Sequence, residues 1–260
     1  MAGTEGNCFF WNQGDACVIF HRLEGFLFSY MIRYMRKLLV ILAAAAYTML
    51  YAAEFDPPLI IEHGPRDSTK IALTFDACPT AGRTGYDDKV MEILIRGNVP
   101  ATLFISGRWA EKNAARLKQL ANIPLFEIAN HSFYHPHMTS VSDGRIRREL
   151  EMTQNILQGI TGKRPVYFRP PFGEVDERVA RFAREAGLVT IQYDIASGDP
   201  DPALSKSAIV RGVLAAAKGG SIIVFHMNGK GLHTAEALPD IITGLRAKGL
   251  ELVTVAELLN

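Results

Sequence analysis

Ile123-Pro124-Leu125-Phe126-Glu127-Ile128-Ala129-Asn130-His131-Ser132-Phe133-Tyr134-His135 is an apolar run that ends in two imidazoles four positions apart. The run has the length and composition of a buried strand, and polar residues begin where it stops. If the segment after Ala129 turns helical, side chains at i and i+4 share a face and both rings reach one cation. Imidazole nitrogen suits zinc, and also cobalt and nickel, and such an ion with open positions acidifies a bound water. A plain structural alternative is that His131 caps a strand and His135 merely precedes Pro136, because such a motif has meaning only in its structural context. That context is whether other strands end in the same way.

Working outward, the pattern repeats. On the N-terminal side, Ile71-Ala72-Leu73-Thr74-Phe75 and Ala101-Thr102-Leu103-Phe104-Ile105 read as buried strands. A helix containing Val90 to Ile95 is entered through Asp87 and Asp88, and another runs from Gly107 to Leu120 behind a Ser106 cap. On the C-terminal side, helices are expected over 142–159, 176–186, 206–218, 235–248 and 255–259. They alternate with strands at 166–168, 188–193, 221–225 and 251–253. Apolar strands alternating with amphipathic helices predict an α/β fold with a parallel sheet buried on both faces. The strands number about seven, one short of the usual eight-stranded barrel. No repeat or second linker interrupts the body, so residues 66–260 read as a single domain.

At 260 residues, 48% of them hydrophobic, the chain has enough apolar mass for one sizeable core. Its formal net charge of +1 provides no global basic field, so neither nucleic acid nor an anionic membrane surface is an expected partner. Near the N-terminus, Arg33, Arg36 and Lys37 precede an apolar run from Leu38 to Tyr51 that closes on Ala52-Ala53-Glu54. Basic, apolar, small is the layout of an export signal. The run is about fourteen residues, short of the roughly twenty that span a bilayer. Residues 35–53 therefore read as a signal peptide, with an uncleaved signal anchor as the alternative. The chain is expected to be exported, periplasmic or extracellular, and to meet a membrane only through that segment. Residues 1–34 read as an extension upstream of a start at Met31 or Met35, and residues 54–65, with Pro57-Pro58 and Gly64-Pro65, as a linker. Cys8 and Cys17 fall in the extension, so the body keeps Cys78 alone and no internal disulfide.

In a β/α barrel, functional side chains gather where strands end and βα loops begin. Here strand ends deliver Asp76, His131 and His135, Arg169, Asp194 and Asp199, and His226. Thr74-Phe75-Asp76, His131 to His135, Arg169-Pro170-Pro171-Phe172-Gly173, Asp194 to Asp199, and Val224-Phe225-His226 resemble the five ordered motifs of the polysaccharide deacetylases. This is carbohydrate esterase family four, the NodB homology domain, and the resemblance covers Lys70 to Asn260. It implies a distorted (β/α)7 barrel that removes acetyl groups from a glycan with a divalent metal: zinc first, with cobalt or nickel as alternatives.

The resemblance also implies roles. Asp76 would be the general base, held ionised by Arg169; its plain reading is a helix-capping aspartate, and that of Arg169 a surface ion pair. His226 would be the general acid and Asp199 the carboxylate that orients it; a core histidine satisfied by backbone is the alternative. His131 and His135 would bind the metal. Phe172 would present its backbone N–H to an oxyanion from a loop stiffened by two prolines, and Val224 would wall the acetyl methyl. Asp194 is read equally as a strand-end cap or a supporting residue. Three departures matter. Ala77 stands where the pattern has a second aspartate as third metal ligand, Pro200 stands where an aromatic follows Asp199, and Met227 stands where an aspartate is frequent. An extra water, Asp76 itself or Cys78 could fill the ligand position, although a lone Cys beside a strand is more often inert packing. The expected function is an exported metal-dependent hydrolase of an acetylated polysaccharide. The alternatives are a glycan-binding barrel with weakened catalysis and an amidohydrolase acting on a non-carbohydrate amide.

Overall fold

The computed structural model describes residues 31–44, 60–79 and 85–260. The chain falls into two units, Met1–Pro57 and Pro58–Asn260. In the first, residues 31–44 form an exposed helix, α1. Cys8, Cys17, the apolar run beyond residue 44 and Ala52-Ala53-Glu54 lie outside the described residues. No helix among the described residues is long and apolar enough to cross a membrane.

The second unit alternates strand and helix as its sequence predicts. Its strands are β1 (Ile60–Ile61), β2 (Lys70–Ala77), β3 (Ala101–Ile105), β4 (Phe126–Asn130), β5 (Tyr167–Phe168), β6 (Val189–Ile191), β7 (Ile195–Ala196), β8 (Ile222–His226) and β9 (Glu251–Val253). Its helices are α2 (Asp88–Arg96), α3 (Gly107–Lys112), α4 (Ala114–Ala121), α5 (Asp143–Thr161), α6 (Glu177–Glu185), α7 (Lys206–Ala216), α8 (Thr234–Ala247) and α9 (Val255–Leu259). Side-chain caps explain several starts: Asp87, Ser106, Asp176 and Ser205 each accept a backbone N–H from the first turn they precede. Thr254 and Glu257 close a capping box on α9.

Every strand pairing is parallel, in the order β1-β6-β5-β4-β3-β2-β8-β7, with β9 added to β2. The sheet curls into a distorted barrel whose path ends at β1 and β7. Alternation along β2 sorts its residues. Ile71, Leu73 and Phe75 pack into the larger apolar cluster beneath the helices, while Ala72 joins Phe104, Ala129, Ile191 and Ile222 inside the barrel. By the same parity Thr74 and Asp76 point inward. Val253, Val255 and Leu258 complete the inner cluster, and the Val255 N–H donates to Thr102 Oγ1 at 2.8 Å. The C-terminal segment thus stoppers the end where strands begin, which leaves the opposite rim for chemistry. Each fully buried Leu, Ile or Phe contributes roughly 1.5–3 kcal/mol. The helix-side cluster therefore carries most of the stability, and the inner face can accommodate polar groups.

Three local differences from the sequence expectation have identifiable causes. The strand expected over 188–193 is split, because Asp194 accepts from Ser221 Oγ at 2.9 Å and the Ile222 N–H at 2.8 Å and pairs with Arg66 at 2.9 Å. These bonds draw the chain away from β6 and onto β8, and they place Asp194 at the entrance of β8, remote from the rim. The helix expected over 107–120 breaks at Asn113, which ends α3 and begins α4. A strand, β1, lies in the stretch read as linker and pairs with β6.

Candidate active site

Asp76 stands at the end of β2, level with Phe104 of β3 and His226 of β8. It is 7% exposed. Arg169, fully buried just after β5, donates through one nitrogen to Asp76 Oδ1 at 2.9 Å and Thr74 Oγ1 at 2.8 Å, and through the other to the Gln192 carbonyl at 3.2 Å. Its guanidinium lies 4.0 Å over the Phe104 ring, so an aromatic face covers its underside. Burial pushes the Asp76 carboxyl up, but the Arg169 guanidinium opposes this, and the group is held below the usual carboxylate range.

The histidine pair is built differently from the helical turn its spacing suggests. Ser132 and His135 both adopt left-handed backbone, with φ of 60° and 59°. Side chains compensate that strain. Asn130 Oδ1 accepts from the Ser132 N–H at 2.9 Å, Ser132 Oγ from the His135 N–H at 3.1 Å, and Glu149 Oε2 from the N–H groups of Phe133 and Tyr134 at 2.8 and 2.7 Å. The loop brings the two rings to 4.9 Å between centroids. His131 Nδ1 donates to the Arg169 carbonyl at 2.8 Å, which turns the Nε2 lone pair toward Asp76 Oδ2, 3.7 Å away. Burial lowers both imidazoles, His135 to about 3, so the pair is neutral.

On the facing side, His226 closes β8. Its Nδ1 donates to Asp199 Oδ1 at 2.8 Å, and its backbone N–H to Asp199 Oδ2 at 2.8 Å. Thr234 Oγ1 adds a third bond to Asp199 Oδ2 at 2.6 Å. With Nδ1 so engaged, His226 presents Nε2 to the cleft. Asp76, His131, His135, Phe172, Asp199, Val224 and His226 all line one cleft of about 280 Å³, with Arg169 beneath it. The Phe172 ring is 50% exposed at its rim and stacks 4.2 Å from His137, which bonds Glu174 at 2.8 Å. Pro200 and Asp201 line another wall, and Met227 is buried beneath the helices.

The donors decide whether a cation fits. Among the described residues, no group of three His, Cys, Asp or Glu side chains is placed to hold a metal ion. Ala77 is fully buried and offers a methyl. The Cys78 thiol, pushed up by burial to about 11, is neutral at pH 7, and it accepts from Asn228 Nδ2 at 3.5 Å. The set does not fit a resident ion with three protein ligands.

The polysaccharide deacetylase family model matches residues 63–191. A peptidoglycan-N-acetylglucosamine deacetylase of Bacillus cereus is 32% identical over 199 residues, which cover 76% of this chain and 70% of that protein. The chain belongs to the polysaccharide deacetylase family. Among solved structures, the Bc1960 peptidoglycan N-acetylglucosamine deacetylase matches with a TM-score of 0.72 at 30% identity, over 77% of this chain and 92% of that one. A CE4 family pseudoenzyme from Bacillus anthracis, BA3943, matches with a TM-score of 0.72 at 28% identity, over 80% and 71%. A mutant of BA3943 has restored enzymatic activity. Several other relatives are longer proteins, of which the chain spans between 27% and 53%.

Within this polysaccharide deacetylase fold, sequence reasoning missed two residues that support the site, Glu149 and Thr234, and two that line its cleft, Tyr193 and Lys230. Glu149 is 1% exposed yet holds the histidine loop, and its place on the buried stripe of α5 with Ile146, Leu150 and Thr153 is the signal that could have found it. Thr234, Tyr193 and Lys230 had no such signal, because only folding brings them to the cleft and to Asp199.

Proposed function

We propose that the chain hydrolyses the acetyl amide of an N-acetylated glycan outside the cytoplasm, with the acid–base pair carried by Asp76 and His226. One observation carries this reading: Asp76 and His226 are register partners on adjacent parallel strands, both facing the cleft and each held by its own buried partner. Strand spacing puts their backbones roughly 4.8 Å apart, so the two side chains emerge as neighbours into one cleft.

Asp76 takes a proton from water as its oxygen bonds to the acetyl carbon. The carbonyl electrons move onto oxygen, toward the Phe172 N–H. When the C–N bond breaks, protonated His226 delivers a proton from Nε2 to the departing amine, oriented by Asp199. Val224 packs against the acetyl methyl. Asp199→Asn, which keeps the shape but accepts less well from the imidazole, is expected to lower kcat about 10²–10⁴-fold with little change in KM. Steady-state kinetics check this.

His131 and His135 alone leave a zinc, cobalt or nickel ion with two protein donors, because Ala77 replaces the third ligand of the family pattern. Ala77→Asp is expected to tighten zinc at least about tenfold, as measured by titration. The incomplete set also favours a second reading, a barrel that binds glycan without turnover. Metal analysis of protein purified without chelator, with acetate release from chitooligosaccharide, peptidoglycan and acetylxylan, separates the two. Release supports hydrolysis; retained glycan binding without release supports the second reading. Residues 35–53 as an export signal, followed by residues 54–65 and a catalytic domain over 66–260, would bring the site to such polymers.

A further inference from the structure

One cation in the cleft takes no part in the acid–base pairs. Lys230, in the loop between β8 and α8, lines the cleft with Asp76, His135 and His226. Its backbone is tied to the end of β2: its N–H donates to Asn228 Oδ1 at 3.2 Å, and the same side chain donates to the Cys78 carbonyl at 2.5 Å. The ammonium is within electrostatic reach of both Cys78 and His135, and Lys230 shares the lining of the cleft with His131 and His135. Lys230 forms no ion pair among the described residues. The carboxylates around it are committed elsewhere. Asp76 is matched by Arg169 and Asp199 is bound to His226, while exposed Asp201 accepts from the Ala203 N–H. A divalent ion entering this cleft would meet an uncompensated ammonium, and the buried carboxylate that faces His131, Asp76 through Oδ2, is already matched in charge by Arg169.

We propose that Lys230 is the site's own positive charge: its ammonium stabilises the oxyanion formed on the acetyl carbonyl, and it opposes divalent-ion binding at His131 and His135. This rests on the hydrolytic reading above. An ammonium is a compact point charge with three donors, suited to a developing oxyanion. The electron balance is simple. Water oxygen bonds to the acetyl carbon, the carbonyl pair moves to oxygen, where the Lys230 ammonium adds its charge to the Phe172 N–H, and collapse expels the amine with the proton from His226. Lys230 gives up no proton in this step.

The test uses the full chain as wild type, Lys230→Met and Lys230→Arg, with zinc titration and acetate release from chitopentaose. Lys230→Met is expected to lower kcat about 10²-fold with KM little changed, in line with loss of one oxyanion donor. Lys230→Arg should recover most of that loss, and zinc affinity should rise at least about tenfold in the Met variant. Unchanged kcat together with unchanged zinc affinity in Lys230→Met overturns the assignment and leaves the hydrolytic reading standing. If wild type releases no acetate from any acetylated glycan, the hydrolytic reading fails on its own. The zinc titration then decides the charge assignment: a rise supports it and no change overturns it.

Discussion

Asp76→Asn is expected to lower acetate release about 10³-fold while the protein stays folded. Asparagine keeps the volume of Asp76 and an oxygen for Arg169, so the loss reports the missing proton acceptor. Arg169 holds Asp76 below the ordinary carboxylate range, against the opposing effect of burial. As the proposed base, Asp76 therefore stays ionised through mildly acidic pH, and kcat/KM should show no acid limb until the pH falls below about 4, the free carboxylate value. Stability follows the same sign. A depressed folded pKa contributes stability that is present above the unfolded value and lost as pH falls through the folded one. Asp76→Asn should flatten that acid-side loss, as thermal unfolding between about pH 3 and pH 7 would show.

The largest stability effect is expected from Arg169→Met, at about 3–5 kcal/mol. Arg169 bonds Asp76, Thr74 and the Gln192 carbonyl and covers Phe104, all inside the barrel. Its removal strands a buried carboxylate, and that uncompensated charge is the main cost. For a domain of this size the loss corresponds to a Tm drop of roughly 6–20 °C. The double variant Asp76→Asn/Arg169→Met should be less destabilised than Arg169→Met alone, because no unpaired charge remains. Equal destabilisation would mean that Arg169 acts by packing on Phe104 alone.

The alternation of strands and helices was legible because each apolar run is short and capped, with Ser106 and Asp176 marking starts that the structure keeps. The inward direction of Asp76 follows from the two-residue period of β2, on which Ala72 and Thr74 share its face. The route by which His131 and His135 meet was not legible. Their spacing suggests a helical turn, whereas two left-handed residues and a distant glutamate, Glu149, shape the loop. Of the two readings of Asp194, strand-end cap or supporting residue, its bonds agree with the cap; the choice was not legible because its partners Ser221 and Arg66 lie far along the chain, at the opposite end of β8. Lys230 carries no local pattern at all, and its meaning comes from what surrounds it after folding.

Acetate release from chitopentaose by the full chain, with Asp76→Asn and Asp199→Asn assayed beside it, tests most directly whether the ends of β2 and β8 form one hydrolytic pair. Steady release by the wild type, with both variants slowed at least about 10²-fold and still binding the glycan, is the predicted result. Variants that match the wild-type rate, or a wild type that binds glycan but frees no acetate, would contradict it.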